Sequence, residues 1–282
     1  MIRSFLFVPG DSPRKLEKST SAGADALIVD LEDAVAGQAR PAARALTRDF
    51  VASQGDVWVR INPVGSDDAA ADLDAVMPAA PAGIVLPKPR SADDVKTVSA
   101  MIGEAEAKHG LEEGATRILP LVTETPQSLL ALGDYAGCSD RLAGMSWGAE
   151  DLSAAVGATS SRDENGDFLP PYQLARSLCL FAAAAAEVPA IDTVFTDFRN
   201  AEGLAKYATE ARRDGFSGML AIHPAQVETI NAAFRPTAEE IDRARRIVAL
   251  FDANPGAGTL GMDGQMIDRP HLVQAKRILG LA

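Results

Sequence analysis

The chain predicts an α/β protein of the (β/α)8 TIM-barrel class with a C-terminal helical extension. Three observations carry this. Eight short, continuously apolar runs recur along the 282 residues, as strands buried on both faces of a parallel sheet require. Longer amphipathic stretches alternate with them, giving the strand-then-helix count of a barrel. No glycine fingerprint of a dinucleotide site follows any of the runs, which disfavours the doubly wound open sheet that is the alternative architecture.

In order, the strand candidates are 4–9 (SFLFVP), 26–32 (ALIVDLE), 56–62 (DVWVRIN), 83–88 (GIVLPK), 117–123 (RILPLVT), 141–148 (RLAGMSWG), 190–196 (AIDTVFT) and 218–224 (GMLAIHP). Helical periodicity is found over 13–21, 39–53, 92–109, 126–133, 171–187, 200–213 and 225–234. The polar, glycine-containing stretch 153–170 follows the sixth strand and reads as a long loop of the functional kind. Residues 1–235 therefore form the expected catalytic barrel, and 236–282 the extension. In that extension a helix over 237–253 leads through a Gly- and Pro-punctuated connector at 254–264 to a last helix over 270–281.

Composition narrows the function. With 39 acidic against 27 basic residues the formal charge is -12, and there is no basic stripe of the kind that neutralises a phosphate backbone, so no nucleic-acid partner is expected. The two cysteines, Cys138 and Cys179, supply neither a disulfide framework nor metal-type spacing; they read as reduced thiols. The opening MIRSFLFVPGDSP is broken by Pro9 and Gly10 and lacks the form of a secretory leader. No apolar run is long enough to span a bilayer, so the expectation is a soluble, cytoplasmic protein with no membrane partner.

In a barrel the reactive groups stand at the C-terminal ends of the strands. Here those ends carry Asp30, Glu32 and Asp33; Arg60 and Asn62; Lys88; Thr123 and Glu124; Glu150 and Asp151; Thr196 and Asp197; and His223. Glu124 and Asp151, from adjacent strands, could share a hard cation such as Mg²⁺, the rest of its shell coming from water and substrate. The alternative for either carboxylate is a helix cap. Arg60, on an otherwise apolar strand, has two readings: an internal ion pair with Asp30, Glu32 or Asp33, or a fork for a substrate carboxylate. Glu32 and Asp33 could contact metal-bound water or hold Arg60. Lys88 reads as solvated, His223 as a packed and hydrogen-bonded rim residue, His109 as a helix-end cation, and Trp147 as a candidate wall. Both cysteines read as small buried residues.

Taken together, SFLFVPGDSPRKLEK, ALIVDLEDAVA, VRIN, PLVTETP, WGAEDLSA, VFTDFRNAEGL and AIHPAQVETIN, in this order, resemble the citrate lyase β-subunit-like branch of the HpcH/HpaI aldolase/citrate lyase family. The resemblance covers about residues 1–235 and the tail GQMIDRPH. It implies an acyl-CoA lyase that makes or breaks a carbon–carbon bond beside a thioester, with Mg²⁺ (or Mn²⁺) held by Glu124 and Asp151. Arg60 would bind the substrate carboxylate, and Glu32 and Asp33 would hold metal-bound water. Asp268 matches the acid/base that family members offer to a neighbouring subunit, within a homotrimer or a hexamer of two trimers. Phe5, Arg14 and Lys15 are the candidates for contact with coenzyme A, and the 153–170 loop is a candidate cover for its arm.

The implied substrates are 3-hydroxyacyl-CoA thioesters of the malyl-CoA or citramalyl-CoA type, split into acetyl-CoA and glyoxylate or pyruvate. The Asp-bearing tail favours a free-standing lyase over the β subunit of a citrate lyase complex acting with an acyl carrier protein. A malate-synthase-like or thioesterase outcome on the same thioesters is the other alternative. Pyruvate-class aldolases use a histidine in an early barrel loop, and this chain has no histidine before His109.

Overall fold

The computed structural model describes residues 2–281; the first and last residues of the two expected regions, 1 and 282, lie outside it. The chain divides into two compact units, Met1–Phe234 and Arg235–Ala282.

The first unit is a ring of eight parallel strands: β1 (Ser4–Pro9), β2 (Ala26–Asp30), β3 (Val57–Arg60), β4 (Gly83–Leu86), β5 (Arg117–Pro120), β6 (Met145–Ser146), β7 (Ala190–Asp192) and β8 (Gly218–Ala221). Their lateral order is β5-β4-β3-β2-β1-β8-β7-β6. Isolated parallel bridges Ile118↔Leu142 and Leu121↔Ser146 bring β5 round to β6, so the ring is nearly closed. This is the (β/α)8 architecture that the eight apolar runs predict. The strands are continuous in hydrophobicity because each is covered on both sides. Phe5, Ile28, Trp58, Val85, Leu119, Leu121, Ile191 and Leu220 form one apolar cluster, while Leu6, Val29, Val59, Ile84 and Ile118 join a larger one with the helices. Residues alternate between the two because side chains on a strand alternate in direction. Trp58 lies opposite Gly83 in the ladder, and its ring fills the space that a Cβ on Gly83 would need, 2.4 Å away.

The surrounding helices are α1 (Pro13–Ser19), α2 (Arg40–Gln54), α3 (Asp67–Val76), α4 (Ala92–His109), α5 (Pro126–Leu130), α6 (Ala149–Ala155), α7 (Pro170–Ala185), α8 (Ala201–Asp214) and α9 (Val227–Ala233). Four start with Pro in their first turn, where the missing N–H costs nothing. Three differences from the sequence reading have local causes. Helix α3, to which the periodicity assigns nothing, is nucleated by acidic residues in its first turn and tied down by the buried Asp72, which accepts from Arg44 Nε at 2.7 Å and Asn62 Nδ2 at 2.8 Å. Strand β6 keeps two of its eight expected residues: before it Leu142 meets β5 only as an isolated bridge to Ile118, and Arg141 forms a buried pair with Glu106, Nη1 to Oε1 at 2.7 Å and Nη2 to Oε2 at 2.5 Å. The 153–170 loop is shorter than expected: α6 takes its first residues and α7 its last, leaving 156–169 pinned by the bridge Arg162↔Phe168.

The second unit packs α10 (Ala238–Asp252) and α11 (Arg269–Ile278) with an antiparallel hairpin, β9 (Thr259–Met262) and β10 (Gln265–Asp268), around Ile247, Phe251, Met262, Ile267 and Ala275. The connector expected at 254–264 is thus partly a strand and turn. Asp263 and Gly264 have φ of 51° and 75°, the pair of left-handed residues that a two-residue hairpin turn requires. Among the described residues no helix is long and apolar enough to cross a membrane.

Candidate active site

The strand ends gather their polar groups around one cavity of about 370 Å³, lined among others by Asp30, Arg60, Glu124, Trp147, Glu150 and Asp151. Phe7, Asp30 and Arg60 stand two residues beyond Phe5, Ile28 and Trp58, so the strand alternation that fills the apolar interior sets them one layer higher.

Asp30 and Arg60 are partners in the β2–β3 ladder. Arg60 grips Asp30 through two parallel bonds, Nε to Oδ1 and Nη2 to Oδ2, both 2.7 Å. Its Nη1 lies 3.2 Å from Glu32 Oε2, and its guanidinium lies 4.8 Å from the Phe7 ring centroid. Burial opposes the guanidinium charge, but the bonds to Asp30 and the charges of Asp30, Glu32 and Glu124 outweigh it and raise its pKa. The ion-pair reading of Arg60 is therefore realised, and the same side chain still faces the cavity.

Lys88 corrects an expectation. It is not a solvated lysine: its Nζ is ion-paired with Glu32, lies 2.9 Å from Asp33 Oδ2 and 3.3 Å from Asp151 Oδ1. Its backbone is left-handed, φ 47°, between Pro87 and Pro89. From that turn its N–H donates to Glu124 Oε2 at 2.7 Å. One residue thus binds four carboxylates that follow three different strands. Burial of the ammonium is outweighed by its bonds to Glu32 and Asp33, so its pKa rises.

Glu124 is the most perturbed acid of the group. It is 4% exposed, and burial, reinforced by the charge of Asp151, pushes its carboxyl up to about 8 against the Lys88 N–H and Arg60, which pull it down. Gly148 makes room for it: a Cβ there would stand 2.7 Å from Glu124 Cγ and 2.9 Å from Oε1. Asp151 follows in the first turn of α6. Burial also raises the Glu32 carboxyl, and Glu32 Oε2 has no hydrogen bond. For Asp33 the bond from Lys88 overcomes burial and lowers the pKa.

Inside the buried pocket the charge of Asp151 adds to burial in raising the Glu124 carboxyl, and a divalent cation between the two carboxylates would relieve that cost. The donors are all oxygen, which suits a hard divalent ion rather than a soft one. Among the described residues no three His, Cys, Asp or Glu side chains are grouped to hold a metal by themselves. Mg²⁺ sites usually take one or two protein carboxylates and complete the shell with water and substrate.

The other expected residues are placed as follows. Phe5 is buried below the cavity, edge-on to Trp58 at 5.6 Å and 84°. Arg14 and Lys15 are exposed on α1. None of these three lines the cavity. Asp268 belongs to the second unit and caps α11, with Oδ1 2.5 Å from His271 Nδ1. His223 caps the short 3-10 turn Pro224–Gln226 and stacks on Phe198, centroids 4.8 Å apart. His109 ends α4 before the left-handed Gly110. Cys179 is buried and Cys138 half-buried. Trp147 does form part of the cavity wall. Sequence reasoning missed Asp192, a fully buried acid that binds the Trp147 indole. A lone carboxylate inside the apolar run AIDTVFT was the available signal.

The comparisons with known proteins agree with this fold. A family model described as HpcH/HpaI aldolase/citrate lyase matches residues 3–224. A citrate lyase subunit beta-like protein of Mycobacterium tuberculosis is 36% identical over 275 residues, covering 98% of this chain and 93% of that protein. A (3S)-malyl-CoA thioesterase of Cereibacter sphaeroides is 35% identical over 288 residues, covering 99% and 94%. Among solved structures, the CitE protein of Mycobacterium tuberculosis in complex with magnesium, acetoacetate and coenzyme A superposes with a TM-score of 0.80 at 34% identity, covering 99% of this chain and 97% of that one.

Proposed function

The chain belongs to the HpcH/HpaI aldolase/citrate lyase family, and from that premise we propose that it is a Mg²⁺-dependent carbon–carbon lyase acting on a 3-hydroxyacyl-CoA. The substrate class is malyl-CoA or citramalyl-CoA, cleaved to, or formed from, acetyl-CoA and glyoxylate or pyruvate. One observation carries the reading: a buried Glu124 beside Asp151 and Arg60 in a single cavity, in a chain similar to a protein whose structure holds magnesium, a keto acid and coenzyme A.

Glu124 and Asp151 would hold the metal, which when bound supplies Lewis-acid stabilisation of the substrate's hydroxyl oxygen. Arg60, charged and anchored by Asp30, orients the substrate carboxylate and with it the bond to be broken. Lys88 holds Glu32 and Asp33 ready for water in the site. Asp268 delivers a proton to the α-carbon of the acetyl-CoA enolate on cleavage, and removes it in the direction of synthesis. In this reading it does so in the site of a neighbouring copy, within a homotrimer or hexamer.

A second reading has one observation in its favour, the similarity to a (3S)-malyl-CoA thioesterase: the same pocket would release free hydroxy acid and coenzyme A. The two part in one experiment. Purified protein is given malyl-CoA and citramalyl-CoA with Mg²⁺, with and without EDTA, and acetyl-CoA, 2-oxo acid and free coenzyme A are quantified. Metal-dependent acetyl-CoA with 2-oxo acid is the expected result, and the faster substrate names the acid. Free coenzyme A with hydroxy acid selects the thioesterase. No turnover of either overturns the acyl-CoA proposal and turns attention to an acyl-carrier thioester.

A further inference from the structure

Strand β6 is the shortest in the ring, yet α6, with Asp151 in its first turn, follows from it. Its ladder with β7 has two pairs, Met145↔Ala190 and Ser146↔Ile191. The next residues in register are Trp147 and Asp192. There a side chain carries the link: indole Nε1 donates to Asp192 Oδ1 at 2.6 Å. Both residues are fully buried.

The carboxylate of Asp192 is itself held from several sides. Oδ1 also accepts from the Thr193 N–H at 2.9 Å and the Tyr207 hydroxyl at 3.0 Å. Oδ2 accepts from Arg176 Nε at 3.0 Å and Nη2 at 2.8 Å. Arg176 is braced in turn by Asp214, Nη1 to Oδ2 at 2.8 Å. A buried carboxylate so held is a rigid post. Trp147 is pressed against it by Phe168, ring centroids 5.0 Å apart. The residue after Trp147 is Gly148, which abuts Glu124.

We propose that Asp192 is a positioning residue: by holding the Trp147 indole it extends the two-pair β6–β7 ladder and sets where Gly148 and Asp151 stand against Glu124. Its consequence for the metal rests on the function proposed above. Its mechanical part does not. The competing role is purely structural, a counter-charge for buried Arg176.

Two variants separate these roles. Trp147→Phe removes the indole bond and leaves the Asp192–Arg176 pair. Asp192→Asn removes the charge. Hydrogen exchange of the metal-free proteins is followed by mass spectrometry, and Mg²⁺ binding by calorimetry. In Trp147→Phe, peptides covering 145–155 should exchange about tenfold faster, the change expected for losing one buried hydrogen bond to a charged group, while those covering β1 to β4 stay as in wild type. Mg²⁺ affinity should fall by a similar factor, and Asp192→Asn should show the same pattern.

Unchanged protection of 145–155 in folded Trp147→Phe overturns the proposal, whatever Asp192→Asn does. Faster exchange with unchanged Mg²⁺ affinity overturns the part that concerns Asp151. If the wild type binds no Mg²⁺, the proposed metal function fails, and the exchange data still decide whether Asp192 holds the junction.

Discussion

Replacing Glu124 by Gln should change how the stability of the metal-free protein depends on pH. The carboxyl is 4% exposed and its pKa is pushed from 4.5 up to about 8, by burial first and by the charge of Asp151 second. Between those two values the folded protein retains a proton that the unfolded chain releases. Stability from this group is therefore fully present below about pH 4.5, falls as pH rises, and is lost once pH passes about 8. At about 1.4 kcal/mol per pH unit, the whole window is worth roughly 5 kcal/mol as an upper bound. The Glu124→Gln variant has no proton to lose there. Urea unfolding of both proteins from pH 5 to 9 in EDTA should show the wild type losing several kcal/mol relative to the variant. Mg²⁺ should restore the wild type at high pH and bind more tightly as pH rises toward 8, because a ligating carboxylate must be deprotonated. Parallel curves for the two proteins in EDTA would refute the claim that Glu124 is buried at a cost in its charged form.

Gly148→Ala sets a methyl 2.7 Å from Glu124 Cγ; it should abolish measurable Mg²⁺ binding by calorimetry while circular dichroism shows an intact fold. Arg60→Lys keeps the charge but loses the two-pronged grip on Asp30; steady-state kinetics should show kcat/KM reduced by about a hundredfold, the scale of a misplaced reacting group. Asp268→Asn should leave thermal unfolding of the barrel unchanged but suppress both cleavage and exchange of the acetyl-CoA α-protons, read by NMR in deuterated buffer; full exchange in the variant would remove Asp268 from the proton step.

Much of the fold is legible because it depends on local pattern. The apolar run 4–9 is β1 residue for residue, and the amphipathic stretch 92–109 is α4, closed by the left-handed Gly110. Short apolar runs with no polar alternation suit strands covered on both faces, and eight of them alternating with amphipathic stretches, with no glycine fingerprint of a dinucleotide site, point to the barrel class. The acidic strand ends were legible too, since a barrel places strand ends around one mouth. What stayed hidden depends on which distant residues meet. Three acids were open as partners of Arg60; the β2–β3 register chose Asp30 for the bidentate grip. Lys88 looked solvated because nothing within its own segment shows that a left-handed turn between two prolines aims it at Glu32, Asp33 and Asp151, residues 55 and more positions away in the two bonds to the β2 loop. Asp192 gave no sign that it would finish a ladder left short by β6. The amino-acid sequence by itself determined the class of fold and the acids at its mouth, because periodicity and residue type act over a turn or a strand. The pairing of charges, the pKa of Glu124 and the bond between Trp147 and Asp192 were decided only by tertiary structure, because burial and Coulomb interaction act between groups that closure of the ring brings together.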